Sequence, residues 1–185
     1  MASLPSPKPV TYEEWLRMPE VQDAIEEVVN GEIRIMPPAK FKHSLIVTNL
    51  HDLIRSQIDD RATRVISAVL GLVIRRSPLT SRVPDLAVLE TGTMIEQDGY
   101  VHSAPQLLVE VLSPGNTRRE REEKLGDYAS IGVPEVWVVS PEARTVEVLE
   151  LQDGYLRTVR IQSEGELTPV RFPGVHVPVA GIWPD

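Results

Sequence analysis

The chain has 185 residues, 42% of them hydrophobic and 25% charged, the proportions of an ordinary globular protein long enough for one domain with a sizeable core. It has no cysteine, which excludes disulfides, thiolate zinc sites, iron–sulfur clusters and cysteine nucleophiles. A net charge of -8 argues against a protein that coats nucleic acid, but not against a metal-dependent enzyme acting on phosphates, because divalent cations supply positive charge to an acidic site. No apolar run reaches the length of a membrane span, and the N-terminus has neither the basic start nor the apolar block of a secretion signal. The expected location is the cytoplasm.

Pro5, Pro7 and Pro9 mark residues 1–10 as a flexible arm before a single domain over residues 11–185. Thr11 to Glu14 fits a capping box that opens a short helix, TYEEWLRM. VVNGEIRIM carries an Asn30-Gly31 turn between apolar runs, a hairpin signal. In HSLIVTNLHDLIRSQI, the residues Ile46, Val47, Leu50, Leu53, Ile54 and Ile58 recur at helical spacing and predict a core-packing helix. RVISAVL, GLVIRR, VPDLAVLE and QLLVEVL read as strands, rich in β-branched residues and bounded by Gly, Pro or Ser. LLVEVL does not alternate, as expected of a strand covered on both faces. Thr117 to Glu120 is a second capping box, whose helix runs to about Ile131 and stops at Gly132 and Pro134. VWVV is another interior strand, and RTVEVLELQDGYLRTVRI a hairpin closed at Asp153-Gly154. PVRFPGVHVPVAGIW reads as one more irregular strand, weakened by its prolines. The sum is an α/β fold: a mixed central β-sheet flanked by helices, with additional antiparallel strands at the C-terminal end.

Glu110 is the chemical anomaly, a carboxylate inside LLVEVL. An unpaired charge in a strand covered on both faces costs several kcal/mol or more, so this acid needs a cation, a proton or a function. The alternative is a position near the strand end and a pairing with an arginine. Asp85 opens the run DLAVL, and two acids on one face of neighbouring strands lie within roughly 5 Å, close enough to share one hard cation. Lys124 lies on the following helix, one turn before Tyr128, at the border of the stripe that packs on the sheet. His43 and His51 are eight residues apart on one helix, about 12 Å by helical rise and too far to share a zinc ion. His43 is open to lining the cleft near the acids or to a capping or surface role. Two groups of arginines, Arg75, Arg76 and Arg82, and Arg118, Arg119 and Arg121, are open to a phosphate-binding rim or a solvated surface.

The order Pro84-Asp85, then Glu110 to Pro114 (EVLSP), then Lys124, Tyr128, Gly132, Val133 and Trp137 resembles the Uma2 family. That family is similar to the PD-(D/E)xK, or restriction-endonuclease-like, nuclease superfamily. Glu27 to Glu32 (EVVNGE), Met36-Pro37-Pro38 and His43 match as well, so the resemblance runs from about Glu14 to Leu151. One departure stands out: the residue two after Glu110 is Leu112, so the superfamily's lysine is missing there and Lys124 is its candidate replacement, with Arg118, Arg119 and Arg121 as nearby substitutes.

The resemblance implies a restriction-endonuclease-like core and metal-dependent hydrolysis of phosphodiester bonds. Asp85, Glu110 and the backbone carbonyl of Val111 would bind Mg2+ or Mn2+, with Glu27 as a third acid. Lys124 would orient the attacking water or stabilise developing charge, with Tyr128 and Ser113 as supports. Aromatic residues, at 5%, are too few for a platform that stacks single strands, so double-stranded DNA or a structured nucleic acid is the favoured partner, DNA first. A different class of function, a nuclease-like fold serving binding or assembly without catalysis, fits the acidic charge. Val175, Val177, Val179, Ile182 and Trp183 are expected to form a self-association surface of a homodimer or higher oligomer.

Overall fold

The asparagine–glycine turn at Asn30-Gly31 closes a hairpin, and a six-stranded sheet grows from it. The structure, a computed structural model, describes residues 8–19, 21, 24–59, 61–67, 70–115 and 117–184. Asn30 and Gly31 have φ of 53° and 81°, the two positive values a tight hairpin turn demands, between β1 (Ile25–Val29) and β2 (Glu32–Met36). A side chain at Gly31 would meet Pro9 at 2.5 Å, so glycine is required there for space as well as conformation. Residues 1–7 of the expected arm lie outside the described residues; Val10 is bonded to Gly31 and Leu79.

This first sheet also takes in β4 (Leu72–Arg76), β5 (Leu79–Arg82), β7 (Glu96–Gln97) and β8 (Tyr100–Val101), in the order β2-β1-β5-β4-β8-β7. A second six-stranded sheet, in the order β12-β11-β10-β9-β6-β3, is built from β3 (Thr63–Ser67), β6 (Leu86–Glu90), β9 (Leu107–Val111), β10 (Glu135–Ser140), β11 (Thr145–Gln152) and β12 (Tyr155–Gln162). Both sheets are mixed, with β9 parallel to β10 and β4 parallel to β8. The connection from β9 to β10 is the helix α3 (Arg118–Ser130), because parallel neighbours need a crossover. Thr117 and Glu120 cap it reciprocally as expected, and Gly132 follows its end with φ of 84°. The first helix, α1 (Tyr12–Trp15), also has its capping box at Thr11 and Glu14.

The central strands of the second sheet, β6, β9 and β10, are buried on both faces. On one face Leu107, Val109 and Val111 of β9 pack with Ile46, Leu50 and Ile54 of α2 (Phe41–Arg55). On the other, Leu108 joins Ala87, Val136, Val138 and Tyr128 of α3. Alternation puts Glu110 on this second face, where an apolar side chain would otherwise stand.

Two expectations change. The strand β5 (LTSR) is buried at all four positions although three of its residues are polar, which is why it carried no hydrophobic signal. The C-terminal segment holds only a two-residue strand, β14 (Val177–Pro178), paired with β13 (Glu166–Leu167), and then a 3-10 helix (Val179–Ile182). Its apolar residues do not form a self-association surface. Val175, Val177, Val179, Ile182 and Trp183 are buried in the core of their own chain beside α2. Among the described residues no helix is long and apolar enough to cross a membrane.

Candidate active site

The chain leaves the first sheet at Arg82, crosses through Val83 and Pro84, and enters the second at Leu86, which places Asp85 at the junction. In the β6–β9 pair Leu86 stands opposite Val109 and Ala87 opposite Leu108. One step further, the same antiparallel register sets Asp85, just before β6, opposite Glu110 near the end of β9. Lys124 and Tyr128, one helical turn apart, come down on Glu110 from that helix. The Lys124 ammonium donates to Glu110 Oε2 at 2.8 Å, and the Tyr128 hydroxyl to Oε1 at 2.5 Å. Asp85 Oδ2 accepts from the Val111 N–H at 2.7 Å and lies 3.3 Å from His43 Nε2 on α2. Glu110 therefore has its cation, and the partner is Lys124 and not an arginine.

Glu27 completes the cluster from β1. The register Val28 to Ser81 sets Glu27 opposite Arg82, and Arg82 Nη1 donates to Glu27 Oε2 at 2.9 Å. The other oxygen accepts from the Val83 N–H at 3.0 Å and faces Lys124 at 3.2 Å. Arg82 is 3% exposed; its Nε donates to Asp127 at 2.8 Å, and it also pairs with Glu123, which pairs with Arg34. Lys124 thus bridges two carboxylates, and one of them is held by a buried guanidinium. Glu27, with both oxygens engaged, is a seat for Lys124.

Burial pushes the Glu110 carboxyl up to about 7, with the charge of Asp85 acting in the same direction and Lys124 and Tyr128 against it. At Glu27 burial also disfavours the charge, but Lys124, the Val83 N–H and Arg82 outweigh it and hold the carboxyl below its ordinary range. At Lys124 burial is outweighed by Glu110 and Glu27, which hold the ammonium charged. Hydrogen bonding to Asp85 raises His43 in spite of burial.

These shifts predict a pH dependence. A carboxyl raised from about 4.5 to about 7 contributes stability that is present below the lower value and lost as pH rises through the upper one, and a raised histidine acts with the same sign. With divalent ions chelated, urea midpoints should fall between pH 5 and pH 8 by the equivalent of roughly 3 kcal/mol at most, and Glu110→Gln should flatten that fall. Equal pH dependence in the two proteins would refute the assignment.

A cleft of about 240 Å³ opens beside this cluster, lined by Glu27, Met36, Glu110, Leu112, Lys124 and Tyr128 among others. Among the described residues no three His, Asp or Glu side chains group around one point to hold a metal ion. The expected ligand set, the Asp85 and Glu110 carboxylates with the Val111 carbonyl, consists of oxygen donors only and fits Mg2+ or Mn2+ in kind.

Of the two arginine groups left open to a phosphate-binding rim or a solvated surface, most members pair within the chain. Arg82 is buried within the network, Arg76 bonds to Glu13, and Arg75 bonds to Asn30, Thr80 and the Pro78 carbonyl. On α3, Arg118 pairs with Glu122 and Arg121 with Glu147, leaving Arg119 exposed. Ser113 is exposed after β9, and Tyr128 is buried on Glu110. The sequence reading missed Arg82 as a buried cation and Asp127 as its partner; an arginine in a polar run, LTSR, carries no local mark of burial.

Two mixed sheets, a crossover helix and an acid pair at a strand junction define an α/β protein with a restriction-endonuclease-like core. The chain matches the Uma2 family, described as "putative restriction endonuclease", over residues 12–180 and belongs to it. Its fold is similar to the crystal structure of "a putative nuclease belonging to DUF820" from Anabaena variabilis ATCC 29413. The TM-score is 0.78 at 21% identity, over 94% of this chain and 97% of that one. No curated protein matches the chain.

Proposed function

We propose that the chain is a metal-dependent nuclease that hydrolyses phosphodiester bonds of DNA, with Asp85, Glu110 and Lys124 as its working residues. The observation that carries this reading is the meeting of Lys124 with Glu110 at 2.8 Å, with Asp85 at the entry to the neighbouring strand β6. The departure from the superfamily's short spacing is thereby accounted for, since a lysine from the crossover helix reaches the same carboxylate. Asp85, Glu110 and the Val111 carbonyl would hold Mg2+ or Mn2+, which when bound polarises a phosphate and lowers the pKa of a bound water. Lys124 orients the attacking water or stabilises the negative charge that develops on the phosphate. Tyr128 fixes Glu110 through Oε1, and the Val111 N–H and His43 fix Asp85 through Oδ2. Glu27, which accepts from Arg82 and the Val83 N–H and faces Lys124, positions Lys124.

The test is Mn2+ calorimetry together with nicking of supercoiled plasmid DNA. Wild type should bind and cleave, Asp85→Ala and Glu110→Ala should do neither while remaining folded, and Glu27→Gln should keep Mn2+ binding. The rival reading, an assembly module without catalysis, draws support from the pairing of the flanking arginines within the chain. Mn2+ binding indifferent to both Asp85 and Glu110 would favour it.

A further inference from the structure

Four of the six flanking arginines, Arg76, Arg82, Arg118 and Arg121, pair with acids of their own chain, and lysines beside the site add to the positive charge that can meet a nucleic acid. Of the four lysines, Lys8 pairs with Glu14 and Lys124 with Glu110 and Glu27. The other two, Lys40 and Lys42, are exposed, and their ammonium groups have no acid partner among the described residues. They flank Phe41, which is 79% exposed, the barest large apolar side chain among the described residues. All three lie in an acid-free stretch of nineteen residues, from Ile33 to His51, in a chain with 27 acidic residues among 185.

Both ends of the segment are fixed at the candidate active site. Met36 lines the cleft beside Glu110, and His43 sits 3.3 Å from Asp85. Residues 37–42 between them are exposed throughout. They form a short strap beside the acids, carrying two free cations around one bare aromatic ring. A bare phenylalanine on an acidic protein is a cost in water, and two unpaired lysines beside it make the patch complementary to a polyanion that also offers apolar surface.

We propose that residues 37–42 are the contact that seats duplex DNA over the site, with Lys40 and Lys42 on backbone phosphates and Phe41 against sugar or base edges. Phosphate contacts fix position and register without reading sequence, and an apolar side chain pressed into a groove adds binding that salt does not screen. The proposal rests on the nuclease reading only in taking nucleic acid as the ligand, and it adds a positively charged contact to an acidic chain.

The experiment is fluorescence anisotropy of a labelled DNA duplex titrated with the full chain in Ca2+ over a series of salt concentrations. The variants are the double substitution Lys40→Ala, Lys42→Ala and the single substitution Phe41→Ala. The double variant should bind at least several-fold more weakly, and its log K against log salt slope should be shallower by about 2, one for each lost phosphate contact. Phe41→Ala should weaken binding with the slope unchanged. Mn2+ affinity by calorimetry should stay as in wild type for both variants, since neither touches the acids. Wild-type affinity and slope in the double variant overturn the proposal. So does a wild type that binds no duplex, including one that binds phosphatidylserine vesicles instead. The two readings fail separately: duplex binding that depends on the strap without cleavage in Mn2+ sinks the nuclease reading alone, and cleavage by a double variant of unchanged affinity sinks the strap alone.

Discussion

Arg82→Ala is expected to lower folding stability by roughly 3–5 kcal/mol, the range for breaking one side of a buried ion pair. Arg82 and Glu27 are each 3% exposed, and the guanidinium serves Glu27 through Nη1 and Asp127 through Nε. Its removal leaves the interior carboxylate of Glu27 and the partly buried one of Asp127 with their compensation reduced. Glu27 keeps Lys124 and the Val83 N–H, whereas Asp127 loses its bonded cation. Arg82→Lys should recover less than half of the loss, because a single ammonium does not reproduce the fork that spans two acids from different elements. Urea denaturation of the two variants measures both numbers. A loss within about 1 kcal/mol for Arg82→Ala would mean that the carboxylates take up protons or water at little cost, and that the network is not a stabilising element.

Lys124→Ala is expected to reduce plasmid cleavage at saturating Mn2+ by about 10²- to 10³-fold, the effect of removing one charge-stabilising donor. Mn2+ binding should persist, because Asp85, Glu110 and the Val111 carbonyl remain. The variant also removes the counter-charge that opposes protonation of Glu110, so that carboxyl should titrate higher than in wild type. Lys124→Arg should restore part of the rate if charge near Glu110 is what matters. A rate close to wild type for Lys124→Ala, with Mn2+ still bound, would remove Lys124 from the chemistry and leave it as a structural partner of Glu110 and Glu27.

Local features carried most of the architecture. The two capping boxes, the Asn30-Gly31 and Asp153-Gly154 turns and the helical spacing from Ile46 to Ile54 each describe contacts within a few residues, and each forms as its spacing predicts. Glu110 was legible for the same reason: a lone charge in LLVEVL is anomalous whatever surrounds it. Pairings across long separations were not legible. Arg82 and Glu27 are 55 residues apart and meet because β1 and β5 are neighbours in one sheet, and β5 is mostly polar and gives no apolar pattern. The C-terminal valines looked like an exposed sticky surface until α2 and the second sheet supplied a core for them.

The sequence alone determined that this is an α/β chain with a resemblance to one nuclease family, an acid at Asp85, an acid at Glu110 and a lysine at Lys124 in that order. Only the tertiary structure decided that Lys124 reaches Glu110, that Glu27 is bound up with Arg82, and that Lys40 and Lys42 have no acid partner among the described residues while most of the flanking arginines are paired internally. The physical reason is that a residue's propensity and periodicity act over one or two turns of chain. A charge's fate depends on which distant partner the packing brings within about 3 Å, and so on its desolvation, and no local pattern records that.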